Sequence, residues 1–206
     1  MISAGTALDR LRQGNRRFVT GRAERDIAAE HARRRELLED QAPFAILLGC
    51  SDSRVPAELV FDQGLGDLFV IRVAGNIVAP SQIGSIEFAA ERFGVRLVVV
   101  MGHSGCGAVQ AALEQLQRQT ETTSPNLGFI VNSIKPGLSH LLENPEGPKG
   151  RALLDKAVRE NVRRSANQLR HGSEILEQLI RENGLKIIGA NYSLETGEVD
   201  FFDGFD

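Results

Sequence analysis

The chain has 206 residues, of which 42% are hydrophobic, 25% charged and 5% aromatic, enough for one domain that buries roughly 70% of its unfolded-state surface. Its 24 basic residues against 27 acidic ones leave a formal charge of -3, so no overall field gathers nucleic acid or an anionic membrane surface. The longest apolar runs, Phe44 to Leu48 and Leu97 to Met101, fall far short of the roughly 20 residues that cross a bilayer. Met1 to Asp9 lacks the basic and apolar regions of a secretory signal, so a cytoplasmic location is expected. In such a reducing compartment the two cysteines, Cys50 and Cys106, read as reactive or metal-binding thiols.

In chain order, Ala7, Leu8, Leu11 and Phe18 mark one face of a first helix, and the charged stretch Arg25 to Glu39 suggests a second on the outside. Phe44 to Gly49 is a short apolar run of the kind found in a strand covered on both faces. Leu68 to Val73 and Leu97 to Met101 are similar, and between them Ile83, Ile86, Ala90 and Phe93 fall at helical spacing after Pro80. Further helices are predicted from Gly107 to about Arg118, over Asn126 to Leu142, over Arg151 to Arg170, and ending at Gly184. Leu185 to Asn191 reads as a last parallel strand, and Gly197 as a hairpin into Glu198 to Phe202. Gln117 to Pro125 and Glu143 to Gly150 read as surface loops. The whole is an α/β fold: a mostly parallel sheet with an antiparallel edge strand and helices on both faces, whose ligands belong beyond the carboxyl ends of the strands.

Two segments there carry chemistry. Cys50-Ser51-Asp52-Ser53-Arg54 follows the first strand, and His103-Ser104-Gly105-Cys106-Gly107 follows the third, after Gly102. Parallel neighbours bring such loops together, and two sulfurs with one imidazole suit a tetrahedral zinc that keeps a fourth position open. Two buried structural cysteines, or a redox disulfide, are the competing readings. The glycines around Cys106 fail as a nucleotide loop, because Gln110 stands where a third glycine is needed and no Lys-Ser/Thr follows. Asp52 and Arg54 point the same way from extended chain. They suit a bidentate pair beside the metal, with Asp52 either a conditional fourth ligand or a hydrogen-bond acceptor; an Asx-turn with a solvated arginine is the alternative.

Cys50-Ser51-Asp52-Ser53-Arg54-Val55 and Gly102-His103-Ser104-Gly105-Cys106-Gly107 resemble the two signature blocks of the β-class carbonic anhydrases. The resemblance runs from Gln41 through Tyr192. It implies one Zn²⁺ per chain on Cys50, His103 and Cys106, with Asp52 and Arg54 as a catalytic dyad, and reversible hydration of carbon dioxide to bicarbonate and a proton. It implies a homodimer or a dimer of dimers, in which an N-terminal helical arm (1-40) packs on the partner of a zinc core (41-206). By position it places Gln41, Phe69, Val73 and Phe88 at the substrate, Phe88 standing where the family usually has a tyrosine. It also maps a regulatory bicarbonate site onto Arg72 and Tyr192; the tryptophan of that site is Leu47 here, while Gly49 matches the regulated group. Two thiolates cancel the formal charge of Zn²⁺, so activity should favour alkaline pH. Hydrolysis of carbonyl sulfide or carbon disulfide on the same scaffold, and a zinc-holding sensing module closed by Asp52, remain alternatives.

Overall fold

A computed structural model describes residues 2–24, 27–118, 124–144 and 146–204, with backbone alone for 27–29. The start of the charged second helix at Arg25 and Asp26, and most of the loop expected over Gln117 to Pro125, lie outside the described residues. Five strands form one sheet: β1 (Ala45–Gly49), β2 (Leu68–Arg72), β3 (Leu97–His103), β4 (Lys186–Tyr192) and β5 (Val199–Asp203). Their order is β2-β1-β3-β4-β5, with the first four parallel and β5 antiparallel to β4. The mostly parallel sheet and its antiparallel edge are therefore as expected.

Side chains alternate across this sheet, as period-2 strands require. Leu47, Val99 and Ile188 face one layer, built on helices α1 (Ala4–Val19) and α3 (Ala57–Val60). Ile46, Leu48, Val98, Val100 and Ile187 face the other, with α4 (Pro80–Arg92), α7 (Gly150–His171) and α8 (Glu174–Asn183). A third cluster joins α5 (Gly107–Arg118), α6 (Pro125–Ile134) and the first half of α7, and it contains both cysteines. The remaining helix, α2 (Ile27–Glu36), is tied to the turn before β2, where Arg33 donates to Asp67 at 2.8 Å and Leu65 N donates to Glu30 at 3.1 Å.

Four features depart from what the sequence suggests. The helix expected over Asn126 to Leu142 ends at Ile134, and two 3-10 turns follow, Lys135–Gly137 and Ser139–Leu142; Pro136 has no N–H to continue the ladder. The one-turn α3 was hidden because Ala57 to Val60 is too short to show a helical period. The third strand runs on to His103, because β4 supplies a pairing partner as far as Tyr192; His103 is a strand residue, not a loop residue.

The fourth concerns α1. Its apolar face was expected to lie on a partner chain, yet Leu8 and Leu11 pack within their own chain beside Val60, Phe61 and Leu97, with Leu11 fully buried. Ser3 caps this helix by accepting from Thr6 N at 3.1 Å. Buried Asn15 on the same helix donates to Val60 O at 3.1 Å and Gly197 O at 2.9 Å, pinning the arm to the core. Leu11→Ala should cost about 2–5 kcal/mol of stability in urea unfolding while leaving the mass in solution unchanged. A fall in mass without loss of stability would return this face to a partner.

Candidate metal centre

The parallel pairing of β1 with β3 aligns Gly49 with Met101, so Cys50, just past β1, lies beside the end of β3 and the turn that follows. One ligand atom from each of Cys50, His103 and Cys106 falls within 4.8 Å of the others, and all three residues are buried. Both cysteines are free thiols, so the disulfide reading does not describe this structure.

Each ligand is held by its local backbone. Cys106 precedes α5, and the backbone N–H groups of Ala108 and Val109 point at its sulfur. His103 is fully buried, with Nδ1 at 3.0 Å from Ser104 O; a carbonyl only accepts, so Nδ1 carries the proton and Nε2 keeps its lone pair. That carbonyl is itself fixed, because Ser104 N donates to Tyr192 O and Leu194 N donates to Ser104 Oγ, both at 2.9 Å. Cys50 Sγ accepts from Gly75 N at 3.4 Å. Gly75 has φ +68°, and a Cβ there would lie 2.8 Å from Ile134 Cδ1, so only glycine fits. Its carbonyl in turn accepts from buried Asn161 Nδ2 on α7 at 2.7 Å.

The donor set fits a soft dication. His103 Nε2 is buried and has no hydrogen-bond partner among the described residues, which is costly unless a ligand occupies that lone pair. The Cys106 thiol donates toward Cys50, and this holds the Cys50 thiol well below its usual range; the same hydrogen bond, with burial, pushes the Cys106 thiol up. Two crowded sulfurs and an orphaned imidazole nitrogen form a set that Zn²⁺ satisfies with all three atoms at once.

Asp52 stands beside the triangle, Oδ2 being 3.9 Å from His103 Nε2, but it belongs to Arg54. Arg54 Nε donates to Oδ1 at 2.9 Å and Nη2 to Oδ2 at 2.7 Å, while Arg54 N donates to Oδ1 at 3.0 Å. The Asx-turn and the bidentate pair are thus one arrangement. The Arg54 guanidinium holds the Asp52 carboxyl well below the ordinary carboxylate range. Arg72 braces the same loop, donating to Cys50 O at 3.0 Å and Asp52 O at 2.6 Å.

The carbonic anhydrase family model matches residues 45–199. Carbonic anhydrase 2 of Mycobacterium tuberculosis is 37% identical over 191 residues, covering 91% of this chain and 87% of that protein. A carbonic anhydrase of Mycolicibacterium smegmatis is 37% identical over 190 residues, covering 92% and 89%. The chain belongs to the β-class carbonic anhydrases. Among solved structures, the β-carbonic anhydrase CcaA superposes with a TM-score of 0.76 at 27% identity, covering 98% of this chain and 94% of that one. The Aspergillus fumigatus β-carbonic anhydrase CafA does so at 0.77 and 25%, covering 87% and 85%.

The remaining residues that the β-carbonic anhydrase resemblance implies scatter. Val73 lies next to the centre: its N–H donates to Gly49 O at 3.1 Å, and its side chain packs on the cluster that holds both cysteines. Phe69 pairs with Ile46, four residues upstream of Cys50, which is about 13 Å of strand. Phe69, Phe88 and Phe93 form an aromatic trio with centroids 5.6–6.3 Å apart, and Phe88 is 53% exposed. Gln41 lies before β1, at the opposite end of that strand from Cys50. Arg72 and Tyr192 sit on β2 and β4 with β1 and β3 between them, and both Tyr192 and Leu47 are buried in the α1 layer.

Sequence reasoning missed Gly75 and Asn161 and gave no role to Ser104 within the second block, since each acts through a contact with backbone atoms. Asn161→Leu removes the donor from the buried Gly75 carbonyl and should cost about 1–3 kcal/mol in urea unfolding. Unchanged stability would contradict that role.

Proposed function

We propose that the chain is a zinc enzyme catalysing the reversible hydration of carbon dioxide to bicarbonate and a proton, with one zinc per chain on Cys50, His103 and Cys106. The observation that carries this reading is the buried Cys-His-Cys triangle with an arginine-held carboxylate at its edge. Zinc, when bound, supplies Lewis acidity that lowers the pKa of water from 15.7 toward roughly 7.

The chain's own groups do the rest. Asp52, held ionised by Arg54, offers an acceptor that orients a nucleophilic water toward the substrate carbon; a carboxylate so acidic does not itself carry the proton away. Arg54, with its side chain 59% exposed, keeps Asp52 off the metal, which counts against a centre permanently closed by that carboxylate. Val73 gives the small apolar substrate a dry wall. Gln41 lies before β1 at the end away from Cys50, and Phe69 lies down β2 with Phe88 of α4 packed on it, so these three suit a site on a second copy better than the centre of their own chain. The aromatic trio at β2 and the end of α4, with Phe88 exposed and Phe69 and Phe93 half-buried, suits burial in such a homodimer. Two free cysteines in ligand positions fit a reducing compartment such as the cytoplasm.

Stopped-flow hydration of carbon dioxide by the zinc-loaded protein tests the reading, with carbonyl sulfide as the comparison substrate. Arg54→Ala should keep zinc while activity falls on the order of 10–100-fold, because the freed Asp52 takes the fourth ligand position. Asp52→Ala should also keep zinc and lose rate, by losing the acceptor. Full carbon dioxide hydration in Arg54→Ala at neutral pH would show that Arg54 is merely a loop residue.

A further inference from the structure

A second recess lies away from the metal centre. It is an open recess of about 870 Å³ between the first turn of α4, the 3-10 turn Lys135–Gly137 and the second half of α7, and none of Cys50, Asp52, Arg54, His103 or Cys106 lines it. That volume lies in the range of sites for whole small metabolites and far exceeds what carbon dioxide or bicarbonate needs.

Its walls carry a marked excess of cationic and donor groups. Arg163, Arg164, His140 and His171 line it against one carboxylate, Glu160. Glu160 is already engaged, since Arg163 Nη1 donates to its Oε1 at 2.7 Å. Arg164 is left over: its Nε is shielded from solvent and has no hydrogen-bond partner among the described residues. The stem of Arg164 is laid down on Gly137, where a Cβ would come within 3.0 Å of its Cδ, so the bare glycine lets the guanidinium lie in the recess rather than reach into water. Val78 and Ile83 form an apolar floor beneath these groups. Arg164 lines the recess without an ion-pair partner among the described residues, and the outer edge of its guanidinium, not the enclosed Nε, is what an oxyanion entering from solvent would reach.

We propose that this recess binds a small multivalent oxyanion, a phosphate ester or a polycarboxylate, with Arg164 as its anchor and the two imidazoles as further donors. The site is separate from the carbon dioxide chemistry and does not depend on it. It does share a helix with the metal centre: Asn161, which holds the Gly75 carbonyl under Cys50, lies three residues before Arg164 on α7.

The test is isothermal titration of the intact, zinc-replete protein with inorganic phosphate and, separately, with citrate. One ligand per chain is expected for at least one of them, with affinity at least tenfold weaker in Arg164→Met, while carbon dioxide hydration without added anion is unchanged. Tighter phosphate assigns a phosphate ester, and tighter citrate a polycarboxylate. Should Arg164→Met fail to fold, Arg164→Lys keeps the charge but loses the planar fork, and is expected to weaken binding several-fold. Equal affinity in wild type and the Arg164 variants would overturn the proposal, because the anion would then be bound at the metal or elsewhere. So would absence of binding at millimolar concentration, or a crystal structure of the intact oligomer with a second copy's side chain on Arg164.

Discussion

The structure depends on one constraint: β1 and β3 are parallel neighbours, and β1 ends at Gly49 while β3 runs on two residues past its partner Met101 to His103. Residues widely separated in sequence meet because Gly49 aligns with Met101, so the turn after one strand faces the turn after the other. A crossover through β2 and α4 is what makes that parallel pairing attainable. Everything chemical follows from it, since neither loop alone offers more than part of a ligand set. The helices enforce the alignment from both faces, with α1 and α3 on one side and α4, α7 and α8 on the other.

The cost of the arrangement is electrostatic. Two sulfurs and an imidazole are taken out of water at close quarters, and the protein alone leaves one thiol ionising at the expense of the other, with His103 Nε2 unpartnered among the described residues. Such a cluster is unfavourable on its own, and a cation that bound it would stabilise the fold as well. Asp52 adds a negative charge at the rim, and Arg54 compensates it. Buried groups make the Cys-His-Cys triangle, and an ion pair with an exposed arginine stands at its edge.

Much of this was legible in the sequence for a physical reason. Apolar runs five to seven residues long mark the strands, of which β1 and β3 are buried on both faces while β2, at the sheet edge, is only half-covered, and residues at strand ends inherit their positions from sheet topology rather than from local detail. Cys50, Asp52, Arg54, His103 and Cys106 could be named on that basis. What could not be read is whatever depends on backbone atoms meeting across the fold: the Gly75 N–H under Cys50, the Asn161 amide behind it, and Arg72 gripping the carbonyls of Cys50 and Asp52. Amphipathic pattern likewise says that Leu8 and Leu11 are buried, but not by what; both pack on the core of their own chain. Pro136 was visible in the sequence, and its break in the helix after Ile134 could have been anticipated.

The central claim is that this triangle is a zinc site with sulfur and nitrogen donors, and zinc-edge X-ray absorption on the metal-replete protein tests it most directly. The account predicts one zinc per chain, with two sulfur scatterers at about 2.3 Å and lighter donors at about 2.0–2.1 Å. A metal-replete protein without zinc-sulfur scattering would contradict it.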